Sequence, residues 1–239
     1  MEQAGAARLS IAAIIPAFNE EKHIADVVRR TRARIDNVLV VDDGSRDATG
    51  ERARDAGAEV IVHPENRGKG EAIRSGLRFW LAAASSSGGE LGRQFEWILI
   101  LDADAQHRPE EIDRFVRVAG SSLKPRLILG NRMNDVSSMP LVRRIVNRYM
   151  SRRISRLCGQ EIPDTQCGFR MLHRQLIPAL LDGVNRFDYE TEMLIVASRK
   201  GFCIDSVPIS TVYSDEISSI HPLRDTIRFF QLMRRYSKL

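Results

Sequence analysis

Short apolar runs alternate with longer amphipathic stretches through the first half of the chain. The runs at 10–15, 37–41, 59–62, 97–101 and 127–129 are rich in Ile, Val and Leu and close on Pro, Asp, His or Gly, which predicts strands buried on both faces. Between them, 20–34, 46–56, 69–84 and 109–118 carry apolar residues three and four apart, the period of a helix with one buried side. Pro109 stands at a first helical position, where its missing N–H costs nothing. Strict strand–helix alternation predicts βαβ units and a parallel sheet covered by helices. The run AAASSSGGELGRQ at 82–94 reads as a flexible surface connection.

In sheets of this kind ligands gather beyond the carboxyl ends of the strands, so the closing residues are the candidates for chemistry. The first strand runs into Pro16, Ala17, Phe18, Asn19 and Glu20, the second into Asp42 and Asp43, and the fourth into DADAQH at 102–107. No G-x-G-x-x-G follows the first strand, which excludes the dinucleotide fingerprint. Gly68, Lys69 and Gly70 lack P-loop spacing, yet a glycine loop opening a helix suits a phosphate or pyrophosphate, and Lys69 is a candidate for the nucleotide. Asp102 and Asp104, two apart at a strand end, suit a hard cation such as Mg²⁺ or Mn²⁺ that keeps positions open for diphosphate oxygens. The competing reading is a solvated, helix-capping turn. Asp42 and Asp43 on a neighbouring strand favour the metal, because clustered carboxylates repel unless a cation or donors neutralise them.

A chain of 239 residues is long enough for one large domain burying roughly 70% of its unfolded surface. Its 43% hydrophobic and 28% charged residues exclude disordered, collagenous and coiled-coil classes. No run approaches the ~20 apolar residues of a membrane span, and the N-terminus lacks the basic start of a secretory leader, so the expected location is cytoplasmic. Cys158, Cys167 and Cys203 have no C-x-x-C spacing, which argues against a disulfide framework or a zinc site. The net charge of +5 is unevenly spread: residues 1–120 hold 17 Lys/Arg against 20 Asp/Glu, and residues 121–239 hold 19 against 11. Six arginines and no acid lie between Asp135 and Glu161, a segment suited to anions. A basic amphipathic helix is predicted at 140–158, with Arg144, Arg148 and Arg152 in one row. Val142, Ile145, Val146, Tyr149, Met150 and Leu157 form an apolar face, with Arg153 and Arg156 within or beside it. Such a helix reads as lying on a membrane surface, the alternative being a helix packed on the domain with a solvated basic side. Residues 211–239 form a further basic segment, whose stretch 221–239 reads as a second interfacial helix.

The ordered motifs IIPAFNE, VDDGSRDAT, NRGKGEAIRSGL, LDADAQHRPEEI, GNRM and DTQCGFRML resemble the family 2 glycosyltransferases, inverting enzymes with the GT-A fold. Within that family the chain is most similar to the dolichyl- and polyprenyl-phosphate mannose and glucose synthases, over about 12–208. The resemblance implies a Rossmann-like, mostly parallel α/β domain spanning 1–210. It further implies that Pro16, Ala17, Asn19, Glu20 and Asp43 cradle the nucleoside, that Asp102, Asp104 and Gln106 hold metal and diphosphate, and that Arg132 meets the acceptor phosphate. DTQCGFR leans towards the glucose-type relatives and DADAQH towards the mannose-type, which leaves the donor, GDP-mannose or UDP-glucose, open. The oligomeric state is equally open.

A departing diphosphate gathers negative charge that a divalent cation neutralises, which is work for the two aspartates. An alcohol acceptor needs a general base, whereas a polyprenyl phosphate is already anionic and needs cations to position it. Guanidinium forks match phosphate, and Arg132, Arg143, Arg144 and Arg170 are the candidates. Asp164 is read as a base, as the partner of an arginine, or as a turn cap. His107 is a metal neighbour or a cap; His23, His63 and His173 are placed at the surface or in turns; Trp80 and Trp97 are placed in the core. Glu190 is read as a helix cap, and Glu192 as facing the acceptor. The expected activity is hexose transfer to a polyprenyl phosphate by a peripheral enzyme on the inner membrane face. The competing readings are a hydroxyl acceptor and a catalytically silent nucleotide-sugar-binding or membrane-scaffold protein. Nucleic-acid binding ranks last for want of aromatics interleaved with the basic residues.

Overall fold

The computed structural model describes residues 9–85, 95–134, 136, 139–182 and 189–210. Strands β1 (Ile11–Ala17), β2 (Asn37–Asp42), β3 (Glu59–Val62), β4 (Trp97–Ile100), β5 (Leu127–Asn131), β6 (Arg170–His173) and β7 (Ile204–Pro208) form one sheet in the order β3-β2-β1-β4-β6-β5-β7. Among the described residues only β6 runs against the rest: it pairs antiparallel with both β4 and β5, while the other pairings are parallel. The sheet is therefore mostly parallel. Helices α1 (Ile24–Arg32), α2 (Thr49–Asp55), α3 (Lys69–Ser85), α4 (Ile112–Ala119), α5 (Leu141–Cys158), α6 (Ile177–Asp182) and α7 (Tyr189–Arg199) cover it.

Successive strand side chains point to opposite faces, and β1 divides its residues accordingly. Ala12 and Ile14 join Ile73, Leu77 and Trp80 of α3 together with Ile154 of α5 and Met193 of α7. Ala13 and Ile15 join Val27 and Val28 of α1, Ala53 of α2 and Phe115 of α4. Thus α1, α2 and α4 pack on one face, and α3, α5, α6 and α7 on the other. Trp80 and Trp97 are buried as the sequence predicts, and the Trp80 indole donates to the Ala13 carbonyl. The predicted connection at 82–94 is corrected at its start. There α3 continues through Ala82–Ala84 to Ser85, since alanine is the strongest helix former. The rest of that run, residues 86–94, and the basic segment 211–239 lie outside the described residues.

Between β1 and β4 the chain order reverses, with β2 and β3 laid down on one side of β1 and β4 on the other. The two strands stay paired only as far as Ile14 and Ile100, and Leu101 makes the last bond, to the Ile14 carbonyl. Pro16 faces the same side as Ile14, two residues further on, where no neighbouring strand asks for its missing N–H. A crevice at such a switch point is the expected ligand site of an open α/β sheet. Because β6 is reversed, its start at Arg170 reaches the edge where β1, β2, β4 and β5 end.

Candidate active site

Loops after β1 and β2 form one wall of this crevice by bonding to each other. The Asn19 amide donates to Ser45 Oγ at 2.9 Å, Arg46 returns a bond to Asn19 Oδ1 at 2.9 Å, and the Glu20 amide donates to Thr49 Oγ1 at 2.8 Å. Asn19 holds a left-handed φ of 56° to make this turn. Pro16 and Ala17 are buried at its base and Asn19 is exposed at its tip. Asp43 is buried and accepts from His63 Nδ1 (2.6 Å) and the amides of Arg67 (3.0 Å) and Gly68 (2.7 Å). His63 Nε2 in turn meets Ser75 Oγ of α3 at 2.9 Å. Of the surface and turn readings of His63, the surface one is overturned, because a buried carboxylate needs donors and this imidazole supplies one. His173 is also buried, capping the turn at 174–176 from the end of β6.

Asp102 lies just past β4, and Lys69 Nζ, from the first residue of α3, stands 2.6 Å from its Oδ1. The same ammonium is 2.6 Å from Oε1 of Glu190 at the start of α7. Gly70 permits this meeting, since a Cβ there would lie 2.9 Å from the Tyr189 Cβ. Gly168 brings the DTQCGFR loop equally close, for a Cβ at that position would collide with Asp102 Oδ2. Burial works to raise the Asp102 carboxyl, but the Lys69 ammonium outweighs it and holds the group below its ordinary value. Asp104 goes the other way, pushed up by burial and by the negative charge of Asp102. Its Oδ1 accepts from the Gln106 amide at 3.0 Å across Ala105, whose φ of 57° is left-handed. His107 is buried 4.0 Å from Asp102 Oδ2, and burial lowers its pKa to about 4, so the ring is neutral.

The donor set at this turn is two carboxylates and an amide oxygen, chemistry that suits Mg²⁺ or Mn²⁺. Among the described residues no three His, Cys, Asp or Glu side chains surround a metal position. A cation here would complete its shell from diphosphate oxygens and water, as Mg²⁺ commonly does.

Across the crevice, Arg132 follows β5 and is gripped by Asp164. Its Nε and Nη2 donate to the two carboxylate oxygens at 2.7 and 2.9 Å, and its backbone N–H adds a third bond at 3.1 Å. Asp164 is buried; burial works to raise its pKa, and the Arg132 fork more than reverses this. Of the three readings of Asp164, the structure shows two together: it partners Arg132, and its Oδ1 accepts from the Gln166 amide at 3.2 Å, capping its own turn. Arg170 is buried beneath the loop, and its guanidinium donates to the carbonyls of Cys167, Thr165 and Glu190. That geometry staples the loop to α7. Arg143 and Arg144 occupy the first turn of α5, half-buried. Glu192 is buried against Arg74, 3.3 Å away, with the Arg74 guanidinium over the Tyr189 ring.

The predicted amphipathic helix is present as α5, and its buried stripe is Asn147, Ser151, Ile154 and Cys158. Ser151 Oγ accepts from the Thr165 amide and Ser155 Oγ from the Ile162 amide, so the helix is tied to the same loop that carries Asp164. The face left outward holds Leu141, Val142, Ile145, Val146 and Tyr149, between 42% and 72% exposed. Arg148, Arg152, Arg153 and Arg156 flank it, all exposed. Among the described residues no helix is long and apolar enough to cross a membrane.

Residues 12–181 match the model of the family described as Glycosyl transferase family 2. The chain belongs to that family. This glycosyltransferase is 30% identical to the UDP-N-acetylglucosamine–dolichyl-phosphate N-acetylglucosaminyltransferase of Methanococcus voltae, over 84% of this chain and 85% of that one. It is 26% identical to a dolichyl-phosphate beta-glucosyltransferase of Trichomonas vaginalis, over 85% of this chain and 66% of that one. Glucosyl-3-phosphoglycerate synthase of Mycobacterium tuberculosis shares the GT-A fold at a TM-score of 0.67 and 20% identity, covering 97% of this chain and 82% of its own. That enzyme has been crystallised with UDP and Mg²⁺ and with UDP, Mn²⁺ and phosphoglyceric acid.

Most candidates drawn from the sequence converge on this one sheet edge in the glycosyltransferase: Pro16, Ala17, Asn19, Glu20, Asp43, Lys69, Asp102, Asp104, Gln106, Arg132 and Asp164. Sequence reasoning missed the bridge from Lys69 to Glu190 and the His63 contact to Asp43. Their only signal was charge, on residues 121 and 20 positions apart.

Proposed function

We propose that this glycosyltransferase moves a hexose from a UDP- or GDP-sugar to a polyprenyl phosphate with inversion, in the presence of Mg²⁺ or Mn²⁺. The single observation that carries this reading is the use made of Asp164. The best-placed candidate base spends both carboxylate oxygens on Arg132, which favours an acceptor that arrives already anionic. Arg132, fixed at the crevice by that fork, positions the acceptor phosphate. A phosphate oxygen attacks the anomeric carbon as the bond to the nucleoside diphosphate breaks and its electron pair leaves with the β-phosphate. A divalent cation bound by Asp102, Asp104 and Gln106 would neutralise that charge. Pro16, Ala17, Asn19, Glu20 and Asp43 line the wall that receives the nucleoside. Arg170 serves the site by holding the loop rather than by touching the acceptor. The names of the dolichyl-phosphate relatives support the acceptor class.

The deciding assay is transfer of radiolabelled sugar from UDP-glucose, UDP-N-acetylglucosamine and GDP-mannose into extractable lipid with added polyprenyl phosphate. Labelling from one donor that EDTA abolishes is the expected result. Donor hydrolysis or transfer to glycan hydroxyls without lipid labelling would refute the acceptor.

The outward face of α5 supports a peripheral hold on the cytoplasmic membrane surface. Fully burying a side chain such as Leu, Val or Ile is worth roughly 1.5–3 kcal/mol, and each arginine near anionic lipid adds about 1 kcal/mol. Leu141→Ser together with Ile145→Ser is expected to reduce co-sedimentation with phosphatidylglycerol vesicles by about tenfold while leaving the fold intact, since both side chains are already solvated. Undiminished co-sedimentation would exclude this face as the anchor.

A further inference from the structure

We propose that the Lys69 ammonium is the resident counter-cation of the donor site, bridging Asp102 and Glu190 in the unliganded enzyme and moving onto the donor's diphosphate before a divalent cation can use Asp102. The inference rests on the reading that Asp102 belongs to the metal site, and it adds an order to the filling of that site.

The bridge follows from three elements that meet only in the fold. Lys69 opens α3, Glu190 is the second residue of α7, and Asp102 follows β4. Two contacts of 2.6 Å to one ammonium keep the oxygens of Asp102 and Glu190 within 5.2 Å of each other. Without the lysine, two like charges at that spacing repel unless another cation stands between them. Burial works to raise Glu190 as well, and Lys69 outweighs it and keeps the carboxylate ionised. The pocket is still short of positive charge, since Asp102 and Glu190 share this one ammonium and Asp104 follows two residues after Asp102. A divalent cation would therefore be welcome, except that Lys69 already occupies Asp102 Oδ1 and repels a second cation beside it.

An ammonium on a flexible four-carbon stem, half-exposed here, can change partners without moving backbone. A nucleoside diphosphate offers it anionic oxygens in exchange. Withdrawal of Lys69 frees Asp102 Oδ1, so cation and diphosphate should each strengthen the binding of the other, as linkage requires. Glu190 then regains its role in holding the lysine only after product leaves. In this arrangement Lys69 is a positioning residue for the metal site as well as a contact to the nucleotide.

The test is Mn²⁺ binding by the whole chain, read from the EPR signal of free Mn²⁺, with no turnover involved. Without nucleotide, Lys69→Met is expected to bind Mn²⁺ about tenfold more tightly than the wild type, within the ordinary range of coupling between sites. Addition of UDP or GDP should tighten Mn²⁺ binding in the wild type and do so much less in Lys69→Met. Lys69→Arg keeps the charge and should retain the weak metal binding of the unliganded wild type. Lys69→Gln replaces Lys69→Met if circular dichroism shows the latter unfolded. Equal or weaker Mn²⁺ binding in the uncharged variant, with nucleotide-dependent binding intact in the wild type, overturns this inference alone. Absence of Mn²⁺ binding in every protein, with and without nucleotide, overturns the metal reading and this inference with it.

Discussion

Asp102→Asn is expected to lower sugar transfer by about a thousandfold while shifting the melting temperature little. A divalent cation on a departing diphosphate contributes several kcal/mol of transition-state stabilisation, and each 1.36 kcal/mol is a factor of ten. Removing one anionic oxygen donor from the proposed site of two carboxylates and an amide would forfeit most of that. The fold should survive because Lys69 keeps its contact with Glu190 and an amide has the shape of the carboxylate. A longer side chain does not, since Gly168 lies directly against Asp102 Oδ2. Asp102→Glu should therefore lose both activity and stability, which distinguishes a geometric site from a mere requirement for negative charge. Transfer rates at saturating donor, paired with thermal melts of both variants, decide the matter. Wild-type turnover in Asp102→Asn would remove Asp102 from the metal site.

Asp164→Asn is expected to cost about 3 kcal/mol of stability, because removing one partner of a buried ion pair strands the other. For a chain of this size that corresponds to a fall in melting temperature of roughly 6–12 °C. Asp164 lies buried, and its three bonds to Arg132 hold the turn after β5 as well as the side chain. Arg132→Met with Asp164→Asn should recover part of the loss, since no charge is then stranded. The pH dependence has a definite sign. The folded pKa of Asp164 is depressed by Arg132, so its stabilising contribution is complete above the unfolded value of about 3.9 and is lost as pH falls through the folded value. The gap in melting temperature between wild type and Asp164→Asn should accordingly be full at pH 7 and close under strongly acidic conditions. A gap that stayed constant to pH 2 would mean that the ion pair is not its source. Arg132→Lys is a stringent companion, since a lysine cannot supply the two-pronged contact. It should depress transfer to polyprenyl phosphate far more than it depresses nucleotide binding.

Both experiments concern residues whose importance was visible in the sequence, whereas which residue each one meets was decided by the fold. The strands β1 to β5 are legible because each is a local run of β-branched and aliphatic residues, and the two aspartates stand out because they end such a run. The reversed strand β6, by contrast, is four residues long and reads RMLH, with no period of its own. It becomes a strand only because β4 and β5 flank it, and its direction follows from where the preceding loop must return. Helix α5 is legible as a basic amphipathic helix, yet its packed side is the stripe Asn147, Ser151, Ile154 and Cys158 rather than its greasier one. On that side Ser155 and Ser151 accept from the amides of Ile162 and Thr165, while Ile154 and Cys158 join the core.

Arg170 and His63 carry the same lesson for single side chains. An arginine in CGFR suggests a phosphate, but three nearby carbonyls take up its donors. A histidine after β3 suggests a turn, but a buried Asp43 recruits it. By itself the sequence determined the α/β sheet of parallel βαβ units, the carboxylates at its strand ends, the placing of Trp80 and Trp97 in the core, and the basic character of α5, because each depends on the order of neighbouring residues along the chain. Tertiary structure alone decided the antiparallel β6, the bridge from Lys69 to Asp102 and Glu190, the fork from Arg132 to Asp164 and the outward apolar face of α5. A buried polar group takes whichever partner the fold brings within about 3 Å, and sequence separation places no constraint on which partner that is.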